Sequence, residues 1–287
     1  MTIVKKVLVR RVKTIRPKGP VTALQRQSVT MLDNETVRKF NPSVLELGNI
    51  SAPCREKEAI AAVFDLTGFT VFCSQADAYL AIPRFLNDYL EWFFGNIKKR
   101  VTEANYGGQS ALWAGLPMMA KFLGDGLLLL WNSQKMTEGQ ICRLAAAFYE
   151  ICAAYRTDFY PAMRMVVNKP PQVLRCGVSR GRVFTIGDGK DYVGHCINTA
   201  SRLSHVGALS FCFPHRGFQV QEHMPAQYLS VFQPIHISIR GIGESELVWV
   251  VKDEYTKLAE KNREMFGNLR PAVAGAAGGQ GGGQEAS

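Results

Sequence analysis

Two apolar runs, far apart in the chain, each adjoin a lone aspartate at a turn, and this pattern constrains the fold more than any other feature. Ala59 to Phe64 leads into Asp65-Leu66-Thr67-Gly68-Phe69-Thr70, while Lys121-Phe122-Leu123-Gly124-Asp125-Gly126 leads into Leu127-Leu128-Leu129-Leu130-Trp131. Short continuous apolar runs bounded by turn residues predict buried strands, and Gly-Asp-Gly between two of them predicts a hairpin tip. A buried strand ending on one carboxylate, beside a hairpin carrying another, suits the holding of two magnesium ions, and two-metal sites suit phosphoryl and nucleotidyl transfer. A third segment, Gly194-His195-Cys196-Ile197-Asn198-Thr199-Ala200-Ser201-Arg202-Leu203, spaces Asn198 and Arg202 so that a helix would present both on one face.

The rest of the sequence narrows the setting. With 287 residues the chain can form one large domain with extensions. No apolar run approaches the roughly 20 residues of a membrane span, and no secretory leader is read at the N-terminus. The seven cysteines, at 54, 73, 142, 152, 176, 196 and 212, form no Cys-x-x-Cys pair, which predicts reduced thiols in a cytoplasmic protein. The net charge of +10 is uneven, because Lys5, Lys6, Arg10, Arg11, Lys13, Arg16 and Lys18 crowd the first twenty residues without an acid. Such an arm admits a nucleic-acid or anionic-membrane role, but a solvated extension or a docked edge strand is the simpler expectation, and nucleic acid is not expected as the partner. None of the five histidines has a spacing that predicts a ligand set.

Along the chain the pattern predicts a basic arm and irregular extension over 1–57, a catalytic domain over 58–252, and a terminal helix with a disordered Gly-rich tail over 253–287. Within the domain, a strand ends at Phe64, and helical periodicity over 74–100 is broken in two by Pro83. A loop follows at 105–116, then a hairpin at 118–131, a helix at 137–159, two strands at 172–178 and 182–186, and a turn at 187–190. A helix at 195–205 precedes strands at 209–213, 234–240 and 246–251, and a charged helix spans 253–266. This order predicts an α+β sandwich, helices covering a mostly antiparallel sheet.

Five segments in this order resemble class III nucleotide cyclases, the adenylate and guanylate cyclase catalytic domains. Phe64-Asp65-Leu66-Thr67-Gly68-Phe69-Thr70 resembles their first metal-binding segment, and Lys121 to Gly126 their second, in which a base-contacting lysine precedes the second metal aspartate by four. Arg175-Cys176-Gly177-Val178-Ser179-Arg180-Gly181-Arg182-Val183 resembles their Gly-x-x-x-Gly strand pair, Asn198-x-Ala200-Ser201-Arg202-Leu203 their ribose-and-phosphate helix, and Ser238-Ile239-Arg240-Gly241-Ile242-Gly243 their closing strand motif. Each segment alone also reads as an ordinary strand end, hairpin or helix face; their joint order is what carries the resemblance.

The resemblance implies a sandwich that works as a head-to-tail homodimer, with active sites at the interface. It implies two divalent ions, Mg2+ or Mn2+, held by Asp65, the carbonyl of Leu66 and Asp125, with Asn198 orienting the ribose and Arg202 binding the α-phosphate. Arg240 and the turn at Phe69 and Thr70, whose N–H groups open a helix, would add to substrate binding. Asp65 and Asp125 would come from one protomer, and Lys121, Asn198 and Arg202 from the other.

The base is read in two ways. Lys121, with Asp191 seven positions before Asn198, matches the adenine-contacting pair and implies ATP. The segment Ile186 to Asp191 is shorter than the usual loop, however, so Asp191-Tyr192 also reads as a dipeptide shifted by a deletion. The chain resembles the small freestanding pyrimidine cyclases of bacterial Pycsar anti-phage systems, and a tighter loop with Tyr192 nearby would shrink a purine pocket to pyrimidine size. A pyrimidine is the expected base, UTP, giving cyclic UMP, before CTP, with ATP the alternative and an inactive nucleotide-binding module the alternative of another class.

Overall fold

The computed structural model describes residues 33–39 and 45–259. The basic arm and the tail after Pro271 therefore lie outside the described residues, as do residues 260–266 of the predicted terminal helix. After a short helix α1 (Asn34–Lys39) come β1 (Glu56–Thr67), α2 (Phe69–Cys73), α3 (Ala78–Val101), β2 (Thr102–Tyr106), β3 (Gln109–Leu112), β4 (Met119–Phe122) and β5 (Gly126–Asn132). Then follow α4 (Glu138–Ala154), a π-helical turn (Tyr155–Phe159), α5 (Tyr160–Arg164), β6 (Val173–Ile186), β7 (Asp191–Val193), α6 (His195–Leu203) and β8 (Phe211–Pro214). The described chain closes with α7 (Val220–His223), α8 (Ala226–Leu229), β9 (Phe232–Ile239), β10 (Gly243–Val251) and α9 (Lys252–Lys257).

The main sheet runs β4-β5-β1-β6-β8-β10-β9, with β7 paired to β6. Its ladders are antiparallel except that β8 runs parallel to β6. The unbroken apolar run of β1 follows from its central place, because side chains alternate across a strand and both faces here are covered. Ile60, Ala62, Phe64 and Leu66 point into the main core beneath α3 and α4, where the Phe64 ring stands 4.8 Å from Phe93 and 5.7 Å from Phe148. Ala59, Ala61 and Val63 point to the other face, into a smaller cluster with Leu128, Leu130, Val183, Cys196 and Ala200 under α6. Asp65 is next in that second series, so alternation puts its carboxylate on the α6 side.

Four predicted elements differ from the observed ones. Pro83 lies inside α3 without ending it, because its missing N–H leaves free only the carbonyl of Tyr79, in the exposed first turn of the helix. The break falls earlier, at Ser74–Asp77, where Ser74 Oγ donates to the carbonyl of Thr70 at 2.9 Å. The expected loop at 105–116 contains most of the β2–β3 hairpin, and Trp113 Nε1 ties it down by donating to the carbonyl of Arg100 at 2.8 Å. The two strands expected at 172–178 and 182–186 are one, β6. Gly177 and Gly181 do not turn the chain; they seat α6. A Cβ on Gly177 would lie 2.0 Å from the carbonyl oxygen of Ala200, and one on Gly181 would lie 3.3 Å from Cys196 Cβ. The charged helix expected over 253–266 spans Lys252–Lys257, and Leu258 is already extended.

Candidate active site

Asp65 and Asp125 are brought together by backbone pairing. Asp65 lies opposite Gly126 in the β1–β5 ladder, and the Leu66 N–H donates to the carbonyl of Asp125 at 3.2 Å. The hairpin closes with Leu123 N–H donating to the Gly126 carbonyl at 2.8 Å, while Gly124 holds φ at 96°. Gly126 has no room for a side chain, since a Cβ would sit 2.3 Å from the carbonyl oxygen of Phe64. The Gly-Asp-Gly motif thus serves a left-handed turn and a close approach, and both fix Asp125 beside β1.

The electrostatics point to a cation. Burial raises the Asp65 carboxyl above its ordinary value; the charge of Asp125 adds to that, and His205 and Arg175 oppose it. Two carboxylates next to a backbone carbonyl at Leu66 form an oxygen-only donor set of the kind that hard divalent ions prefer. Asp65, Leu66 and Asp125 therefore fit the divalent ions implied above; among the described residues no cluster of three or more His, Cys, Asp or Glu side chains adds to that set.

The other predicted residues fall into three places. Lys121 and Asp191 form an ion pair, although Asp191 heads β7 and Lys121 lies on β4. Tyr192 is turned toward β1, where Lys57 Nζ donates to its hydroxyl at 3.1 Å, and its ring packs on the smaller apolar cluster. Asn198 and Arg202 are both exposed on α6. Arg202 lies against the β9–β10 turn, such that a Cβ on Gly241 would come within 3.1 Å of its guanidinium. Arg202 and Arg240 line one cleft of about 620 Å³ together with Ser201, His205 and Ser238. Helix α6 and the β9–β10 turn, far apart in sequence, thus share a basic wall.

Phe69 and Thr70 take different positions from each other. The Phe69 side chain is in the core, 6.0 Å from the ring of Phe72 and 6.3 Å from that of Phe85, so this residue has no free side chain to offer a substrate. Thr70 is exposed on α2, a helix of five residues.

Two residues at the site are not among the candidates the sequence offers. His205 Nε2 stands 3.7 Å from Asp65 Oδ1, with its Nδ1 at 2.8 Å from the carbonyl of Ser201. Arg175 pairs with Asp65 across the β1–β6 ladder, and its buried Nε has no hydrogen-bond partner. The alternation of β6 could have placed Arg175, since it shares a face with Gly177. His205 follows Arg202 by three, which continues the same helical side, but that spacing alone did not distinguish it from a surface histidine.

No protein-family model and no curated protein matches the sequence. Solved structures do resemble the fold. The adenylyl cyclase CyaB from P. aeruginosa aligns with a TM-score of 0.50 at 18% identity, over 72% of this chain and 100% of that one. The guanylyl cyclase Cya2 aligns with a TM-score of 0.51 at 17% identity, over 69% of this chain and 92% of its own. The fold is that of a class III nucleotide cyclase catalytic domain. The guanylate cyclase domain of RhGC from Catenaria anguillulae, solved in complex with GTP, aligns with a TM-score of 0.50 at 18% identity, over 69% of this chain and 98% of its own. The cyclase fold accounts for the α+β class and for the mostly antiparallel sheet. Among the described residues no helix is long and apolar enough to cross a membrane.

Proposed function

We propose that the chain, over the domain read at 58–252, is a nucleotide cyclase that converts a nucleoside triphosphate into a 3′,5′-cyclic nucleotide and pyrophosphate. One observation carries this reading: backbone pairing locks Asp125, at the β4–β5 hairpin tip, beside Asp65, which lies on the face of a cyclase-fold sheet that also bears α6 with Asn198 and Arg202. Bound divalent ions would lower the pKa of the ribose 3′-hydroxyl and neutralise the triphosphate. Asp65, Asp125 and the Leu66 carbonyl would hold them. Asn198 would orient the ribose so that its 3′-oxygen approaches the α-phosphorus in line with the leaving group. The new P–O bond forms as the bond to pyrophosphate breaks, and the hydroxyl proton passes to solvent. Arg202 and Arg240 would meet the negative charge that develops on the phosphates. Two copies arranged head to tail would complete each site at their interface, in the cytoplasm, where triphosphates are available.

For the base we infer UTP, giving cyclic UMP for anti-phage signalling. A lysine beside a carboxylate offers one donor and one acceptor. Uracil answers with O4 beside N3–H, so the Lys121–Asp191 pair suits it, and the short turn between the paired residues Ile186 and Asp191 favours a single ring. A second reading, ATP, is favoured by that same pair, because adenine N1 and its 6-amino group present the complementary edge and these are the family's adenine-contacting positions. Incubation with all four triphosphates plus Mg2+ or Mn2+, with the products resolved, tests both readings. Mainly cyclic AMP would replace UTP with ATP, and no cyclic product from any triphosphate would overturn the cyclase reading.

A further inference from the structure

Upstream of β1, a segment outside the cyclase-like motifs grips the turn that presents Asp191. Leu47 and Gly48 lie against the β6–β7 turn. The Asp188 N–H donates to the carbonyl of Leu47 at 3.0 Å, and two glycines allow the close approach: Gly187 against the Leu47 backbone and Gly48 against the Asp188 side chain. A Cβ on Gly187 would lie 1.8 Å from the Leu47 carbonyl oxygen, and one on Gly48 would lie 2.0 Å from Asp188 Oδ2. Both glycines are left-handed, with φ of 59° at Gly187 and 73° at Gly48. A second anchor lies a few residues on. Thr185 N–H donates to the Arg55 carbonyl at 3.0 Å, and Arg55 N–H donates to Thr185 Oγ1 at 2.9 Å. Between the anchors, Asn49 braces the segment, its side chain accepting from Ser51 N–H and its carbonyl from Ala52 N–H, each at 3.0 Å.

The gripped turn has one chemical consequence. The β6–β7 ladder pairs Ile186 with Asp191 and Thr185 with Tyr192, so the anchored residues 185–188 determine where Asp191 stands. Asp191 in turn spends one carboxylate oxygen on the Tyr192 N–H, at 2.8 Å, and turns the other to Lys121. A shift of the turn would move that oxygen relative to the lysine, and hydrogen-bond strength falls off steeply over such displacements.

We propose that Leu47 and Gly48 form a positioning clasp for base selection: they hold the β6–β7 turn so that Asp191 meets Lys121 at the spacing the substrate's base requires. Resting on the cyclase reading, this assigns a role in base specificity to residues that touch neither base nor phosphate. Displacing the clasp should relax the choice between triphosphates while leaving Asp65, Asp125 and Arg202 in place.

The test compares Gly48→Val with Gly189→Val. Gly189 is on the same turn with φ of 80°, but nothing lies within 4 Å of its Cβ position, so it controls for backbone strain without the collision. In a four-triphosphate competition, Gly48→Val should reduce the preference for the favoured base at least about 10-fold, through KM more than kcat; Gly189→Val should leave the preference within about twofold. Gly48→Val/Asp188→Gly, which removes the struck side chain, should restore the preference. In an Asp191→Ala background, Gly48→Val should add no further loss. Hydrogen exchange at the amides of Tyr192 and Val193 should quicken in Gly48→Val and not in Gly189→Val. An unchanged preference in Gly48→Val, or a further loss in the Asp191→Ala background, overturns the clasp. A wild-type chain with no cyclic product overturns the cyclase reading instead, and the exchange comparison then decides whether the clasp holds the turn.

Discussion

His205 Nε2 lies 3.7 Å from Asp65 Oδ1 within a single chain, in the turn just past the helix that carries Arg202. The Asp65 carboxylate and the residues that follow α6 are therefore in electrostatic contact within one chain. His205 lowers the Asp65 pKa, Arg175 does the same, and Asp125 and burial raise it.

The pH profile should reflect this balance. Asp65 must be ionised to hold a cation, and its pKa is raised in the folded state, so activity and metal affinity should fall on the acid side at a higher pH than an ordinary aspartate would dictate. His205→Ala removes a lowering influence, and the acid limb of kcat/KM should move to higher pH. A limb that stays in place or moves lower would show that His205 does not bear on Asp65.

The same shift has a consequence for stability. A folded-state pKa raised above the ordinary 3.8 means that ionising Asp65 costs the folded state, with stability fully present below that value and lost as pH rises through the raised one. Asp65→Asn should therefore raise the melting temperature of the metal-free protein at neutral pH, and the gain should vanish below pH 3.8. The same substitution, like Asp125→Asn, should cut turnover by at least ~10²–10³. Thermal melts in chelator and a turnover assay with Mn2+ check the two halves.

Complementation should reveal whether sites are shared. Asp65→Asn and Arg202→Ala chains, each inactive, should regain activity when mixed, because one interface of the mixed dimer holds both intact halves. Failure in verified mixed dimers would mean that Asp65 acts with Arg202 of its own chain, as their shared neighbour His205 would then suggest.

Gly177→Ala should test the seat of α6. Its Cβ would collide with backbone at Ala200 and Ser204, at 2.0 and 2.3 Å, and backbone cannot swing aside as a side chain can. Overpacking of this kind costs about 1–3 kcal/mol or more. Chemical denaturation should show that loss, with the helix displaced and activity falling with it. By contrast, Tyr192→Ala removes a ring that packs between β7 and β1 next to Asp191, and it should relax selectivity against purines in the competition assay.

Much of the site was legible because its signals are local. Asp65 and Asp125 sit at strand and turn positions that apolar runs and glycines mark directly, and Asn198 and Arg202 share a helical face by spacing alone. Pro83 was misread because a proline near a helix start is tolerated when the freed carbonyl lies in an exposed turn. The β2–β3 hairpin leaves no clear pattern because Thr102–Tyr106 and Gln109–Leu112 are short and polar, so 105–116 reads as loop. The Gly177–Gly181 strand was divided because glycine reads as a turn signal, whereas here it marks where α6 crosses the sheet.

The fold class and the candidate charged residues can be read along the chain, because strand alternation, helical spacing and turn chemistry act over a few neighbouring residues. Which of those residues meet is a matter of long-range packing. Lys121 reaches Asp191, Arg202 joins Arg240, His205 and Arg175 flank Asp65, and Gly48 rests on Asp188, all through strand order and packing between segments far apart in the chain. Such meetings depend on how the sheet is ordered and what packs on each face, and no local window of the sequence contains that information.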